Sequence, residues 1–157
     1  MELERAKSIA AEVIKRLSPY CERIEVAGSV RRGKPIVRDI DLVLIPSDLW
    51  NLHHAIMELG QLKMSGKKIM RVMVGSSQVD IYVADENTWA TLLLILIRTG
   101  SKENNIRLCS RAKDMGWHLA ASGDGLFNET GERIAGDTEI SIYNALGLPY
   151  QRPEERN

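Results

Sequence analysis

Cysteine is nearly absent from this chain of 157 residues, Cys21 and Cys109 being its only two. They stand far apart, in no metal-type spacing, and read as reduced, buried or half-buried thiols. A disulfide-stapled scaffold is thereby excluded and a cytoplasmic protein expected. An excess of either charge is also missing, because 21 Lys and Arg balance 21 Asp and Glu. The chain is no polycation, so a nucleic-acid partner would have to meet local clusters of charge. The longest apolar run, Leu92 to Ile97, is far short of a membrane span. The charged start, Met1-Glu2-Leu3-Glu4-Arg5, has no apolar signal core. There are no internal repeats, no low-complexity tracts and no glycine-rich Lys-Ser/Thr phosphate loop, which makes a Walker-type NTPase a poor fit. The 44% hydrophobic content still suffices for a packed core, in one domain or two small lobes.

The stretch that stands out is Gly28-Ser29-Val30-Arg31-Arg32, followed by Asp39-Ile40-Asp41. Gly28 follows a strand-like run, Ile24 to Ala27. Asp39-Ile40-Asp41 opens a second run, Leu42-Val43-Leu44-Ile45, apolar without alternation and so buried on both faces. Side chains alternate along a strand, which predicts Asp39 and Asp41 on one face and Ile40 on the other. Two neighbouring carboxylates repel unless a counter-charge joins them. A divalent cation is the usual remedy, and all-oxygen ligation suits magnesium or manganese.

Periodicity places these residues in a wider frame. Apolar positions from Leu3 to Leu17 recur at helical spacing over residues 2–17, and Ser18-Pro19 ends that helix. A strand is expected at Arg23 to Ala27, a loop at Gly33 to Pro35 and a strand at Arg38 to Ile45. Pro46-Ser47-Asp48 reads as a turn and cap for a helix from Leu49 to Leu59, stopped by Gly60. His53 and His54 on that helix point in different directions, so a surface or packing role is expected rather than ligation of one metal. Lys67 to Val74 and Gln78 to Val83 flank Gly75-Ser76-Ser77 and predict a hairpin. Asp80 interrupts its second strand as Asp39 and Asp41 interrupt theirs, which makes it a third candidate ligand. Further on, an apolar helix from Trp89 to Arg98 is expected, then a helix capped by Ser101 and running to Met115. Its cations Lys102, Arg107, Arg111 and Lys113 suit either a solvated face or a phosphate-backbone surface. Trp117 to Ala121, Leu126-Phe127 and Arg133 to Ala135 read as short strands, and Thr138 as the cap of a last helix ending at Gly147.

Three strand-borne acids facing one point could bind two divalent ions, a pair that aligns a hydroxyl with a phosphorus atom and stabilises leaving pyrophosphate. The third acid would serve the ion nearer the nucleophile and could accept its proton. The upstream turn supplies the complement. Gly28 allows close approach to an anion, Ser29 offers a hydroxyl and an exposed N–H, and Arg32 a fork of donors for phosphate oxygens. These residues point to metal-assisted nucleotidyl transfer from a nucleoside triphosphate and leave the acceptor open.

Glu25-Val26-Ala27-Gly28-Ser29-Val30-Arg31-Arg32-Gly33, with Arg38-Asp39-Ile40-Asp41, resembles without a gap the palm motif of the polymerase X family, the polymerase-beta-like nucleotidyltransferases. Val79-Asp80-Ile81 is similar to the strand bearing that family's third acid. Thr99-Gly100-Ser101-Lys102-Glu103-Asn104-Asn105 resembles the start of its thumb, and Ile142 to Arg156 its end. The resemblance implies an α+β fold. A palm with a mixed β-sheet and flanking helices is expected over residues 1–85, and a small α+β thumb over residues 86–157. It implies that Asp39 and Asp41 hold both of two Mg²⁺ ions, which Mn²⁺ can replace, and that Asp80 holds the catalytic one. Ser29 and Arg32 would grip the triphosphate, Gly100 and Ser101 shape the pocket beside the sugar, Asn105 contact the base edge, and Lys102 pack on the base. Arg107 and Arg111 are the candidate DNA contacts.

Three departures from the family pattern carry expectations of their own. The chain starts at the palm, so the lyase domain and the fingers domain with helix-hairpin-helix turns are expected to be missing. Arg38 replaces the usual glycine before the first acid, which either adds a cation near the triphosphate or pairs with an acid. Ile97-Arg98 replaces the aromatic pair that precedes Thr-Gly-Ser in relatives that exclude ribonucleotides. The expected activity is template-directed DNA synthesis on primer-template or gapped DNA, filling short gaps in repair, by a monomer with no membrane partner. The alternatives are template-independent nucleotidyl transfer to RNA, protein or a small molecule, and a DNA-end-binding module without catalysis.

Overall fold

The computed structural model describes residues 1–90, 99–120 and 123–156. The chain divides into two compact units, Met1–Ala84 and Asp85–Asn157. The α+β class expected from the motifs is the one observed.

In the amino-terminal unit, α1 (Leu3–Leu17) buries Ala6, Ala10, Val13 and Leu17, the stripe that its three- and four-residue spacing prescribes. A short 3-10 turn at Ser18–Tyr20 leads into β1 (Cys21–Ala27). The chain then makes one helical turn, α2 (Gly28–Arg31), before β2 (Ile40–Pro46). Asp48 caps α3 (Leu49–Leu59) by accepting a 3.1 Å hydrogen bond from the Asn51 amide. Three strands follow: β3 (Gln61–Ser65), β4 (Ile69–Val74) and β5 (Ser77–Val83). The sheet order is β1-β2-β5-β4-β3, with β2 and β5 parallel and the other pairs antiparallel.

Ile40, Leu42 and Leu44 of β2 and Val79 and Ile81 of β5 join the core formed with α1 and with Leu52, Ile56 and Leu59 of α3. Alternation sends Asp41 and Asp80 to the other face. Gly60 ends α3 for a reason other than the left-handed cap its position suggests. Its φ of 166° is extended, but a Cβ there would lie 1.8 Å from the Met73 carbonyl oxygen. The strand β3 has no counterpart in the sequence-based expectation, because four of its five residues are exposed and show no apolar alternation. It is an edge strand recruited by hydrogen bonding to β4.

In the carboxyl-terminal unit, Ser101 caps α4 (Lys102–Asp114), its hydroxyl accepting from the Asn104 amide at 3.1 Å. β6 (His118–Leu119), β7 (Leu126–Phe127) and β8 (Arg133–Ala135) form a small antiparallel sheet. Thr138 and Ser141 make a reciprocal capping box at the start of α5 (Glu139–Ala145). Leu108, Ala112, Leu119, Leu126, Ile142, Tyr143 and Leu146 form the core of this unit. Most of the helix expected from Trp89 to Arg98, including Ile97 and Arg98, lies outside the described residues. Among the described residues no helix is long and apolar enough to cross a membrane.

Candidate active site

Strand register assembles the acids. Ala27 of β1 faces Asp41 of β2, Asp41 faces Asp80 of β5, and Asp80 faces Arg71 of β4. These four positions form one transverse row across the sheet, so their side chains emerge on the same face. The turn that begins at Gly28 follows directly on Ala27, which brings the glycine-serine bend to the end of that row. Gly28 has φ +62°, a left-handed conformation that a residue with a side chain adopts only with strain. Glycine is therefore needed for the path of the chain as well as for any close approach to an anion. The bend is closed by hydrogen bonds from Arg32 N to Gly28 O at 3.1 Å and from Lys34 N to Ser29 O at 3.0 Å. Gly28 is buried, whereas Ser29 and Arg32 are half-buried at the surface of the unit.

Asp39 departs from the simple strand reading. β2 begins at Ile40, and Asp39 occupies a bend just before it, half-buried, with Arg38 exposed beside it. The direction of its side chain is therefore set by the bend rather than by strand alternation.

Asp80 is the most enclosed of the three, with 7% of its side chain exposed. Arg71 grips it with both arms of its fork: Nε donates to Oδ1 at 2.8 Å and an Nη to Oδ2 at 3.4 Å. Gln78 Nε2 adds contacts to the same oxygens at 3.3 and 3.4 Å. The hydrogen bonds and charge of Asp80, with smaller contributions from Tyr82 and Asp39, push the Arg71 guanidinium to a still higher pKa than usual. Arg71 therefore lies within electrostatic reach of two of the acids. Among the described residues, no three acidic, histidine or cysteine side chains are arranged as a ready-made metal centre. The donor set still fits a hard divalent cation: all oxygen, with two of the acids in direct register. For Asp80 to serve such an ion, its carboxylate has to exchange Arg71 and Gln78 for the metal.

Arg71 is the residue that sequence reasoning missed. The signal was present in the two-residue turn Gly75-Ser76, with Val74 opposite Ser77. Counting back along one strand and forward along the other by equal steps puts Arg71 opposite Asp80.

The other candidate residues lie in the carboxyl-terminal unit, where Ser101 is buried and Lys102 exposed at the start of α4. Asn105 is half-buried, and its Oδ1 has no hydrogen-bond partner among the described residues. Its neighbour Asn104 has a structural task. It is buried, and its Nδ2 donates to Tyr143 Oη at 3.3 Å. Arg107 donates to Asn104 Oδ1 at 3.1 Å and to Gln151 Oε1 at 2.5 Å. Arg111 Nε donates to the Leu146 carbonyl at 2.9 Å, at the end of α5. Both arginines thus brace the unit with at least one arm each. A polar cavity of about 220 Å³ opens between Ser101, Asn104, Arg107 and Gln151.

Arg156, unremarked in the sequence, anchors this region. Its guanidinium is wholly buried, with Nε donating to Gln151 O at 2.9 Å and an Nη to Glu139 Oε2 at 2.7 Å. It lies 5.5 and 5.6 Å from the ring centres of Tyr143 and Tyr150. Its carbonyl accepts from Ser101 N at 3.3 Å, which ties the tail to the loop that caps α4.

Comparison with known proteins follows the same division of the chain. The family model described as the DNA polymerase beta thumb matches residues 94–157. The DNA polymerase/3'-5' exonuclease PolX of Bacillus subtilis (strain 168) is 30% identical over 159 aligned residues, covering 96% of this chain and 27% of that protein. The chain thus spans about a quarter of the length of that relative. Among solved structures, a primer–template ternary complex of Leishmania infantum polymerase beta superposes with a TM-score of 0.83 at 18% identity, over 100% of this chain and 76% of the other. A ternary gap complex of the same enzyme gives 0.84 at 17% identity, over 100% and 70%. At such identities these two structures establish the shared fold.

Proposed function

We propose, from the thumb-model match over residues 94–157 and the 30% identity to PolX, that the chain is a DNA polymerase X family member that adds deoxynucleotides to a primer 3′-hydroxyl under the direction of a template strand, filling short gaps in DNA repair. The observation that carries this reading is the register row that sets Asp41 beside Asp80 next to the Gly28 bend.

Asp39, Asp41 and Asp80 would hold two Mg²⁺ ions, which when bound supply neutralisation of the triphosphate and of the charge that develops on the leaving pyrophosphate. The chain's own groups do the rest. Ser29 and Arg32 take the triphosphate oxygens, with Arg38 as a further cation beside them. An Asp80 oxygen, once released from Arg71, accepts the proton of the attacking 3′-hydroxyl. From the carboxyl-terminal unit, Gly100 and Ser101 border the sugar, Lys102 packs on the base and Asn105 offers its unpartnered Oδ1 and its amide to the base edge. Lys102 and the remaining donors of Arg107 and Arg111 meet backbone phosphates, a contact whose strength falls as salt rises. The protein acts as a monomer.

The test is primer extension on gapped DNA with each of the four templating bases, in Mg²⁺ and in Mn²⁺, with deoxy- and ribonucleoside triphosphates in parallel. Extension that follows the template base is the expected result. Extension indifferent to the template would replace this reading with template-independent transfer. Triphosphate binding without turnover would replace it with a binding module.

A further inference from the structure

The helix-covered side of the amino-terminal sheet, away from the acids, carries a surface that the reaction does not use. Trp50, the second residue of α3, leaves 75% of its surface in water, and Leu49 before it 63%. A solvent-exposed indole next to an exposed leucine is unusual on a surface that has nothing to bind. The indole is not loose: its ring meets His54 edge-on, with centroids 4.8 Å apart, and His54 meets His53 at 6.5 Å. One residue around the helix, Leu49 and His53 form a wall of a cavity of about 510 Å³, closed by Ser65, Lys67, Met70 and Val83. That volume lies in the range of small-molecule sites and admits a planar base with its sugar.

Charge sets the kind of partner. The whole chain is electrically balanced, but residues 49–74, which form this surface, hold Lys63, Lys67, Lys68 and Arg71 against the lone acid Glu58. Arg71 is committed to Asp80 on the other face. The three lysines are exposed along β3 and the β3–β4 turn. Asp48, the nearest acid before the helix, spends both carboxylate oxygens on Asn51.

We infer that the face made by the start of α3 and the β3–β4 hairpin binds single-stranded nucleic acid, with a base stacked on Trp50 and phosphates at Lys63, Lys67 and Lys68. The chemistry is that of sequence-tolerant single-strand sites, an aromatic platform beside a row of cations. The choice of nucleic acid as the ligand rests on the polymerase reading, whose substrates offer unpaired strand. An anionic membrane would also attract tryptophan and lysine, but the concave cavity beside the indole, walled by Leu49 and His53, suits a nucleotide next to the stacked base better than a bilayer surface. Because Met70 belongs to the core on the helix side, a strand held here lies on the opposite face of the sheet from Asp41 and Asp80 and does not compete with the triphosphate.

The experiment uses the intact chain without metal or triphosphate. A labelled oligothymidylate of about 12 nucleotides is titrated by fluorescence anisotropy, across a range of salt. Trp50→Ala is expected to weaken binding at least about fivefold, and Trp50→Phe to restore most of it. Lys67→Ala is expected to reduce the salt slope by about 0.7. No binding by the intact chain, or equal binding by Trp50→Ala, overturns the proposal. Vesicles containing phosphatidylserine form a second arm, and Trp50-dependent binding to them in place of the oligonucleotide also overturns it. Gap filling by Trp50→Ala on a substrate without overhang should equal that of the natural chain. Failure of extension by both proteins with oligonucleotide binding intact would count against the polymerase reading and leave this site standing.

Discussion

In the amino-terminal unit Arg71 grips Asp80 across two strands, with a third of its side chain, 34%, still in water. In the carboxyl-terminal unit Arg156 grips Glu139 with none of its side chain in water and two tyrosine rings against it. The two pairs share a chemistry and differ in what surrounds them. Arg156 has no competing medium: remove it and Glu139, with 14% of its side chain exposed, loses an ion-pair partner that is itself wholly buried. Arg71 reaches solvent, where an incoming cation can displace it from Asp80. The comparison separates a cation built into a fold from one that holds a candidate site carboxylate and stays open to exchange.

The sharpest way to probe the exchangeable pair is to delete its acid. Asp80→Ala is expected to lower nucleotidyl transfer by about a thousandfold or more, with triphosphate binding little changed, as read by single-turnover kinetics and calorimetry. Retained turnover would remove Asp80 from the site. The buried pair should respond in stability instead. Arg156→Met is expected to cost about 3–5 kcal/mol in the carboxyl-terminal unit, measured as a lowered urea midpoint of a transition reported by Trp117 fluorescence. A loss below about 1 kcal/mol would mean that burial matters less than the comparison requires.

Arg71→Met should do what its counterpart cannot. Gln78 still contacts both Asp80 oxygens, and Mn²⁺ binding to the triphosphate-free protein should tighten severalfold by calorimetry, because the ion no longer displaces a guanidinium. Unchanged affinity would show that Arg71 does not stand in for the metal.

The smallest effect lies at Cys21, half-buried at the start of β1, where burial pushes the thiol from its ordinary 9.0 up to about 11. The folded state then holds that proton more tightly than the unfolded chain does. Its contribution is fully present below about pH 9 and is lost as pH rises toward about 11. Thermal unfolding between those values should show a fall in stability that Cys21→Ala flattens.

Much of this architecture could be read from residue order. The stripe on α1, the caps at Asp48, Ser101 and Thr138, and the hairpin about Gly75-Ser76 all follow from short-range rules, and all recur in the structure. Three features escaped for different reasons. β3 is polar along its length and exists because β4 offers it an edge to pair with, which is invisible in its own composition. Arg71 was within reach through hairpin register, but its significance depends on the neighbour it meets. Arg156 was out of reach, since nothing near the end of the chain marks an arginine for burial between Glu139 and two tyrosines.

Residue order alone marked out the candidate groups, namely the acids flanking Ile40, the acid of β5 and the glycine-serine bend, because each belongs to a local pattern with a local cause. Which groups meet was decided only in three dimensions. Parallel pairing of β2 with β5 set Asp41 beside Asp80, and antiparallel pairing of β4 with β5 set Arg71 on it. Contact between distant segments depends on which hydrogen-bonded edges pair and in what register, and that choice is made by the burial of the whole sheet against α1 and α3.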